Sequence, residues 1–456
     1  MSVCLRLIVF GSALLLALPG APLQAQSAAQ WRELQIAAAN KSERIMREAD
    51  TRKGLLAQYQ VMRYAYASDE RPAFRMIFGQ YLSWYQTFIG DYTDAAKSFS
   101  IKQTTLPGDR PSPLLDPAWQ ARPALQAIPE LASKYQLVYL NEAHNIPLTR
   151  TLTVQLLSKL RQEGFDYFAV ETVYQTDTKL QSRGYPIAGS GFYTEEPICA
   201  EMVRTALKLG FKVIGYEALS DATGDAREAE QARNINNTIF KKDPHARVVV
   251  EAGYAHIQKS GEFLDGRSMA EHLFKLTGIN GISVEQTMLI PHPVSDDNHP
   301  DYTQIIKKLN PTVPIVFMKK DGEPWSLRPG YDVSVIFPAE ELRRSRPTWL
   351  SLGGVRRPYF VSGDRCEQHY PCLIEARYVD EGADAIPADR LALDPVPLNA
   401  TMHDRIRQGQ GAPVGDLYLR PGQYKLTIDD ESDNQIFAQS ITVPEKPDKP
   451  NKLEKP

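Results

Sequence analysis

Residues 136–173, QLVYLNEAHNIPLTRTLTVQLLSKLRQEGFDYFAVETV, constrain the chain more than any other stretch. The first apolar run, residues 137–140, is too short for a helix and ends abruptly in Asn141, Glu142, Ala143 and His144. That is the pattern of a buried strand running into polar residues. Pro147 then stands where a first helical residue is expected, and Leu148, Leu152, Leu156, Leu157 and Leu160 share one face at helical spacing until Gly164. A second apolar run, residues 167–170, ends in Glu171. Strand, helix and strand in one sheet mean parallel strands joined by a right-handed crossover. Ligands of such sheets sit beyond the carboxyl ends of the strands, where Glu142, His144 and Glu171 fall.

The alternation continues downstream. Strands are expected at residues 212–216, ending in Glu217; at 247–250, leading into Glu251, Gly253 and His256; and at about 282–285. Helices at about 196–209, 226–242 and 268–276 separate or follow them. This predicts an α/β domain, residues 116–338, with a mostly parallel sheet in three layers. The glycine- and aromatic-rich residues 174–195 read equally as a lid or as a surface loop. Ahead of the domain, residues 26–103 are helical in character and read as a helical hairpin capping it. Residues 90–99 resemble part of a tetratricopeptide unit, but one copy makes no array. Behind it, residues 339–443 read as a β-rich module, with Pro421 and Gly422 suited to a turn between strands. The ending, residues 444–456, has the composition of a disordered tail.

A chain of 456 residues, 43% hydrophobic, has material for two or three domains. Its formal net charge of -3, without a basic block, argues against nucleic acid or an anionic membrane as partner. Arg6, the apolar run 7–18 and small residues near Ala25 predict a secretory signal peptide, residues 1–25, since the run falls short of the roughly 20 residues a span needs. The mature chain is therefore expected to be exported, periplasmic or secreted, with no membrane span. Cys366 and Cys372 are expected to pair there, and Cys199 reads as a small buried hydrophobe.

Successive strand ends thus carry Glu142 with His144, Glu171, Glu217, and Glu251 with His256. Crowded carboxylates raise one another's pKa, and a nearby histidine works as a base near neutral pH, so such a cluster can deprotonate water, hold a metal, or both. No Gly-x-Ser-x-Gly elbow, His-Glu-x-x-His helix, phosphate-binding glycine loop or Cys-x-x-Cys pair is present. Arg227 and Asn234, seven residues apart, share a helix face from which they would bind an anionic or carbonyl group or brace the acids.

Asn141-Glu142-Ala143-His144 resembles the Gly-Glu-x-His signature of the superfamily that holds erythromycin esterases, ChaN-type haem-uptake lipoproteins and Tiki metalloproteases. Gly253-Tyr254-Ala255-His256 resembles its second Gly-x-x-His. Glu171 falls where that superfamily has the acid of its second strand, and Arg227, Glu228, Ala232 and Asn234 fit the esterase pattern Arg-acid-x-x-x-Ala-x-Asn. The resemblance covers about residues 135–286 and departs from the pattern at Asn141, which replaces the first glycine. It implies His144 as general base for a water, oriented by Glu142 and assisted by Glu171. His256 would polarise the substrate carbonyl or, with His144 and Glu171, bind a metal; Glu217 joins Arg227 and Asn234 as a substrate-binding candidate. The expectation is a hydrolase acting on an ester or amide of a small molecule or peptide, with or without a divalent metal. The alternative is a haem- or metal-binding protein of the same superfamily without turnover. The N-terminal hairpin and C-terminal module lie outside the resemblance and are the expected surfaces for a protein partner.

Overall fold

The apolar runs become strands of one eight-stranded sheet. The computed structural model describes residues 28–395 and 412–445, so the expected signal peptide and nearly all of the expected tail lie outside the described residues. The strands are β1 (Gln120–Pro123), β2 (Leu137–Glu142), β3 (Tyr167–Val170), β4 (Lys212–Gly215), β5 (Val248–Gly253), β6 (Gly281–Leu289), β7 (Ile315–Met318) and β8 (Val333–Ile336). Their order is β1-β7-β8-β6-β2-β5-β3-β4. From β8 to β4 every neighbouring pair is parallel, while β7 runs against both β8 and β1. Every residue of β2 and β5 is buried, as in strands covered on both faces.

Helices α1 (Ala28–Asp50), α2 (Leu55–Ala67), α3 (Pro72–Phe88) and α4 (Tyr92–Ser98) precede the sheet. Where a hairpin is expected there are thus four helices. Those that follow are α5 (Ala124–Ala132), α6 (Leu148–Gln162), α7 (Leu180–Arg183), α8 (Pro197–Lys208), α9 (Gly224–Ile235), α10 (Met269–Thr277) and α11 (Pro300–Leu309). Alternate strand residues sort into two cores. Val138, Leu140, Phe168, Val170 and Val249 pack with α6 and α8, and the same core continues into Phe74, Phe78 and Leu82 of α3. Leu137, Tyr139, Ala169, Val248 and Val250 pack with α9, α10 and α11.

This topology creates a crevice. The crossover from β2 to β3 passes over the place of β5, and the return from β5 to β6 passes over β2. The loops leaving β2 and β3 therefore climb to α6 and α8 on one face, while those leaving β5, β4 and β6 descend to α10, α9 and α11 on the other. Across β6, β2, β5, β3 and β4, each strand thus sends its loop away from both neighbours. Diverging loops leave space at the carboxyl edge, and ligands of α/β sheets bind in such space.

The chain ends in a β-rich region: β9 (Leu342–Arg343), β10 (Arg346–Pro347), β11 (Arg357–Ser362), β12 (Cys372–Tyr378), β13 (Asp389–Leu393), β14 (Val414–Leu419), β15 (Gly422–Asp429) and β16 (Gln435–Val443). An antiparallel sheet of order β13-β12-β15-β16 stands beside the pairs β11–β14 and β9–β10. Cys366 and Cys372 are joined by a disulfide, and Cys199 is buried with its thiol free. Among the described residues no helix is long and apolar enough to cross a membrane.

Candidate active site

Register brings the predicted residues level. Glu142 at the end of β2 lies opposite Gly253 of β5, and Val170, just before Glu171, lies opposite Glu251. Glu142 shares the face of Leu140 and so points toward α6, where Arg150 stands in the first turn. One Glu142 oxygen lies 2.7 Å from His144 Nδ1, and the other pairs with Arg150 Nε. The same guanidinium reaches Glu196 Oε2 at 3.2 Å and donates to the His144 carbonyl at 3.2 Å. Glu196 caps α8 through the N–H groups of Ile198 and Cys199 and accepts from the Tyr92 hydroxyl at 3.0 Å. Burial alone would raise the Glu142 pKa, but Arg150 and then His144 hold it below its ordinary value. An ionised Glu142 accepts from Nδ1, which makes Nε2 the basic nitrogen of the neutral ring.

A second set faces it across Gly253. Glu171 accepts from the Gly253 N–H on one oxygen; its other oxygen lies 3.0 Å from Arg227 Nη2 and 3.4 Å from His256 Nε2. Arg227 also holds both oxygens of Glu217. His256 Nδ1 lies 2.7 Å from Glu228 Oε2, which is fixed in turn by the Met269 N–H. Burial opposes charge here too, but His256, Arg227, His144 and the Gly253 N–H bring Glu171 down to about 2. For His256, burial lowers the pKa, yet Glu171 and Glu228 outweigh it and leave it raised. This half of the site sets Arg227 and His256 among Glu171, Glu217 and Glu228.

Gly253 is the joint between the sets. A Cβ there would stand 2.4 Å from His144 Cε1, 2.6 Å from Nε2 and 3.3 Å from Glu171 Oε2. Only a glycine lets the strand pass so close to the ring. The next residue, Tyr254, takes the positive φ of 44° and sets its ring edge-on to His144 at 5.1 Å.

Residues 174–195 form a cover. Tyr193 stacks on the His144 ring at 4.1 Å and 11°. Trp84 of α3 meets both Phe192 and Tyr193 edge to face. From the C-terminal module, Arg390 holds Glu195 at 2.9 Å and the Phe88 carbonyl at 2.8 Å, while Gly382 and Ala385 bind Tyr185 and Ile187. Both regions outside the resemblance therefore clamp this segment over His144, whose residue is 4% exposed; Glu171 is 6% and His256 3% exposed.

Glu142, His144, Glu171, Arg227 and His256 come together, and Glu217 joins them through Arg227. Asn234 stays outside: its amide donates to the carbonyls of Tyr216 and Glu217 at 3.1 Å and braces the loop after β4. Glu251 shares the face of Val249 and points into the α6/α8 layer; burial first, then Glu142, pushes its pKa well above the carboxylate range. Asn141, in place of a glycine, lies within β2 and ties it to Gln286 and the Tyr254 carbonyl. Among the described residues no three His, Cys, Asp or Glu side chains are disposed to hold a metal ion. Both Nδ1 atoms are turned to Glu142 and Glu228, and Glu171 lies against Arg227. Sequence reasoning missed Arg150, Glu196 and Tyr193 and took Glu228 only as part of a pattern. Acidic Glu196 before Pro197 is a helix-start signal, whereas a buried arginine on an amphipathic helix leaves no periodic trace.

A cavity of about 660 Å³ lies between the start of α2 and β12, β15 and β16, and its wall includes Glu195 and Arg390 of the clamp. No known family profile matches the chain, and no curated protein does. A solved structure described as "The structure of the type III effector HopBA1" aligns over 38% of this chain and 88% of its own, at 16% identity and a TM-score of 0.28. A likeness at that level carries no argument.

Proposed function

We propose that the protein is a hydrolase of ester or amide bonds in which His144 activates a water. The observation that supports this reading is the His144 ring itself, held by Glu142 at 2.7 Å and turned across Gly253 toward the set of Glu171, Arg227 and His256. In the neutral ring Nε2 takes a proton from water as it attacks the carbonyl carbon. The imidazolium that forms is stabilised by Glu142, which Arg150 keeps ionised. Arg227 and the protonated His256 face the opposite side and stabilise the oxyanion that develops on the substrate. Glu171 fixes both cations, and His144 returns its proton to the leaving group. Substrate enters when the Tyr193 segment moves off the ring, which makes the segment a gate. The same reading places the protein outside the cytoplasm, an assignment the Cys366–Cys372 disulfide supports.

The test is a panel of esters and amides offered to the mature chain, His144→Ala and Glu171→Ala. Loss of a general base costs about 10² to 10⁴ in rate, so His144→Ala should fall by that factor on any substrate the wild type turns over. Full activity in both variants would refute the mechanism.

A further inference from the structure

Where α8 meets the C-terminal module the seam is built from arginines, most of them matched by a carboxylate. Arg204 of α8 takes both oxygens of Glu381 at 2.8 Å, Arg346 of β10 takes both oxygens of Asp389 at 2.9 and 3.1 Å, and Arg420 takes Glu201 of α8. Arg356, which stands just before β11, is in no ion pair among the described residues. Its Nη2 donates to the Ala388 carbonyl, its Nε and Nη1 have no hydrogen-bond partner there, and the residue is only 1% exposed. The acids that most favour its charge, Asp389 and then Glu201, are already committed. Asp389 also accepts from the N–H groups of Arg390 and Tyr418, and Glu201 from the Tyr378 hydroxyl at 3.3 Å.

A buried ion is costly to a fold unless it is both hydrogen-bonded and paired. Water would give Nε and Nη1 acceptors but no charge. One small anion gives both, and a single negative charge is what Arg356 lacks; a divalent or bulky anion would overshoot the charge and the space of a buried site. Arg204 offers a further donor, since its Nη1 is also buried without a partner, and both guanidiniums act on the same two neighbours, Glu201 and Tyr378.

The geometry points to a binding site for one small monovalent anion of the chloride class, held by Arg356 Nε and Nη1 in the seam between α8 and the C-terminal module. Residues 385–390 run along this seam. Ala385 bridges Ile187 of the cover, Ile386 and Ala388 give their carbonyls to Arg204 and Arg356, Asp389 holds Arg346, and Arg390 clamps Glu195. A filled site therefore steadies the segment to which the cover over His144 is fastened. Neither the site nor its effect on the cover depends on what is cleaved at His144.

The full mature chain is unfolded in urea at one fixed ionic strength, with sodium chloride replacing sodium gluconate stepwise, so that screening stays constant. The folded-to-unfolded ratio should rise about elevenfold when chloride stands at ten times its dissociation constant. Arg356→Met removes the charge and the donors, and its urea midpoint should no longer respond to the exchange. No chloride-dependent gain in the wild type, or the same gain in Arg356→Met, overturns the site and leaves the donors to water. If Arg356→Met does not fold, Arg356→Lys decides: it keeps the charge, loses the planar fork and should weaken chloride about tenfold, and an unchanged chloride response overturns the site. Proteolytic cleavage within residues 174–195 of the wild type should slow as chloride replaces gluconate; a cleavage rate that ignores chloride while the midpoint responds overturns the link to the cover.

Discussion

Gly253→Ala tests the geometry at its tightest point. The added Cβ would lie 2.4 Å from His144 Cε1 and 2.6 Å from Nε2, where ordinary carbon contacts are about 3.5 to 4.0 Å. The ring would have to retreat by about 1 Å, yet Tyr193 stacks on it at 4.1 Å and Glu142 holds Nδ1 at 2.7 Å. Overpacking of this kind costs about 1 to 3 kcal/mol. The backbone at Gly253 is not in the left-handed region, so alanine also brings an unfolded-state gain of about 0.4 to 1 kcal/mol. The net expectation is a loss of about 1 to 2 kcal/mol, read as a lower urea midpoint at unchanged slope. The control is the same substitution in a His144→Ala background. With the ring gone, Gly253→Ala should be neutral or stabilising, giving a coupling of about 1 to 3 kcal/mol. Equal destabilisation in both backgrounds, or none in the wild type, would show that the ring does not occupy this place.

Three further predictions follow from the charges and cross-links. Glu171, lowered from 4.5 to about 2 by the folded state, contributes stability present above pH 4.5 and lost as pH falls toward 2, on the order of 3 kcal/mol. His256, raised above 6.5, contributes stability present below pH 6.5 and lost as pH rises through its folded value. Urea midpoints followed against pH should therefore lose part of their acid limb in Glu171→Gln and part of their alkaline limb in His256→Gln; unchanged profiles in both would contradict the assignment. Arg390→Met removes the guanidinium from the buried Glu375 as well as from Glu195 and releases the cover from Phe88, so it should cost about 3 kcal/mol and speed proteolytic cleavage within residues 174–195. Proteolysis at the wild-type rate would show that the clamp lies elsewhere. Replacing Cys366 and Cys372 by serine opens a short loop and should cost about 2 kcal/mol in urea unfolding, and a mature chain unfolded without reductant should expose one reactive thiol, Cys199.

Much was legible before any coordinates, because period and length are local properties. Short apolar runs mark strands that are buried on both faces, and amphipathic stretches between them mark crossover helices, so residues 137–140 and 247–250 were readable as strands from their pattern, although β2 and β5 continue to Glu142 and Gly253. The acids and histidines were readable as lying near those strand ends because they follow the apolar runs, although Asn141, Glu142 and Glu251 fall inside the strands. Sequence order does not give strand order, however. That β5 inserts between β2 and β3, placing Gly253 against His144 and Glu171, depends on which helices pack on which face, a matter of long-range burial. Arg150 and Tyr193 were hidden likewise, since their roles come from partners 8 and 49 positions away and leave no pattern along the chain. The sequence by itself determined a parallel α/β domain with a row of acids and two histidines at its edge. Tertiary structure decided that Asn234 faces backbone, that Glu251 turns into the helical layer, and that the flanking regions close over His144, because only the packed chain brings groups distant in sequence within hydrogen-bond reach.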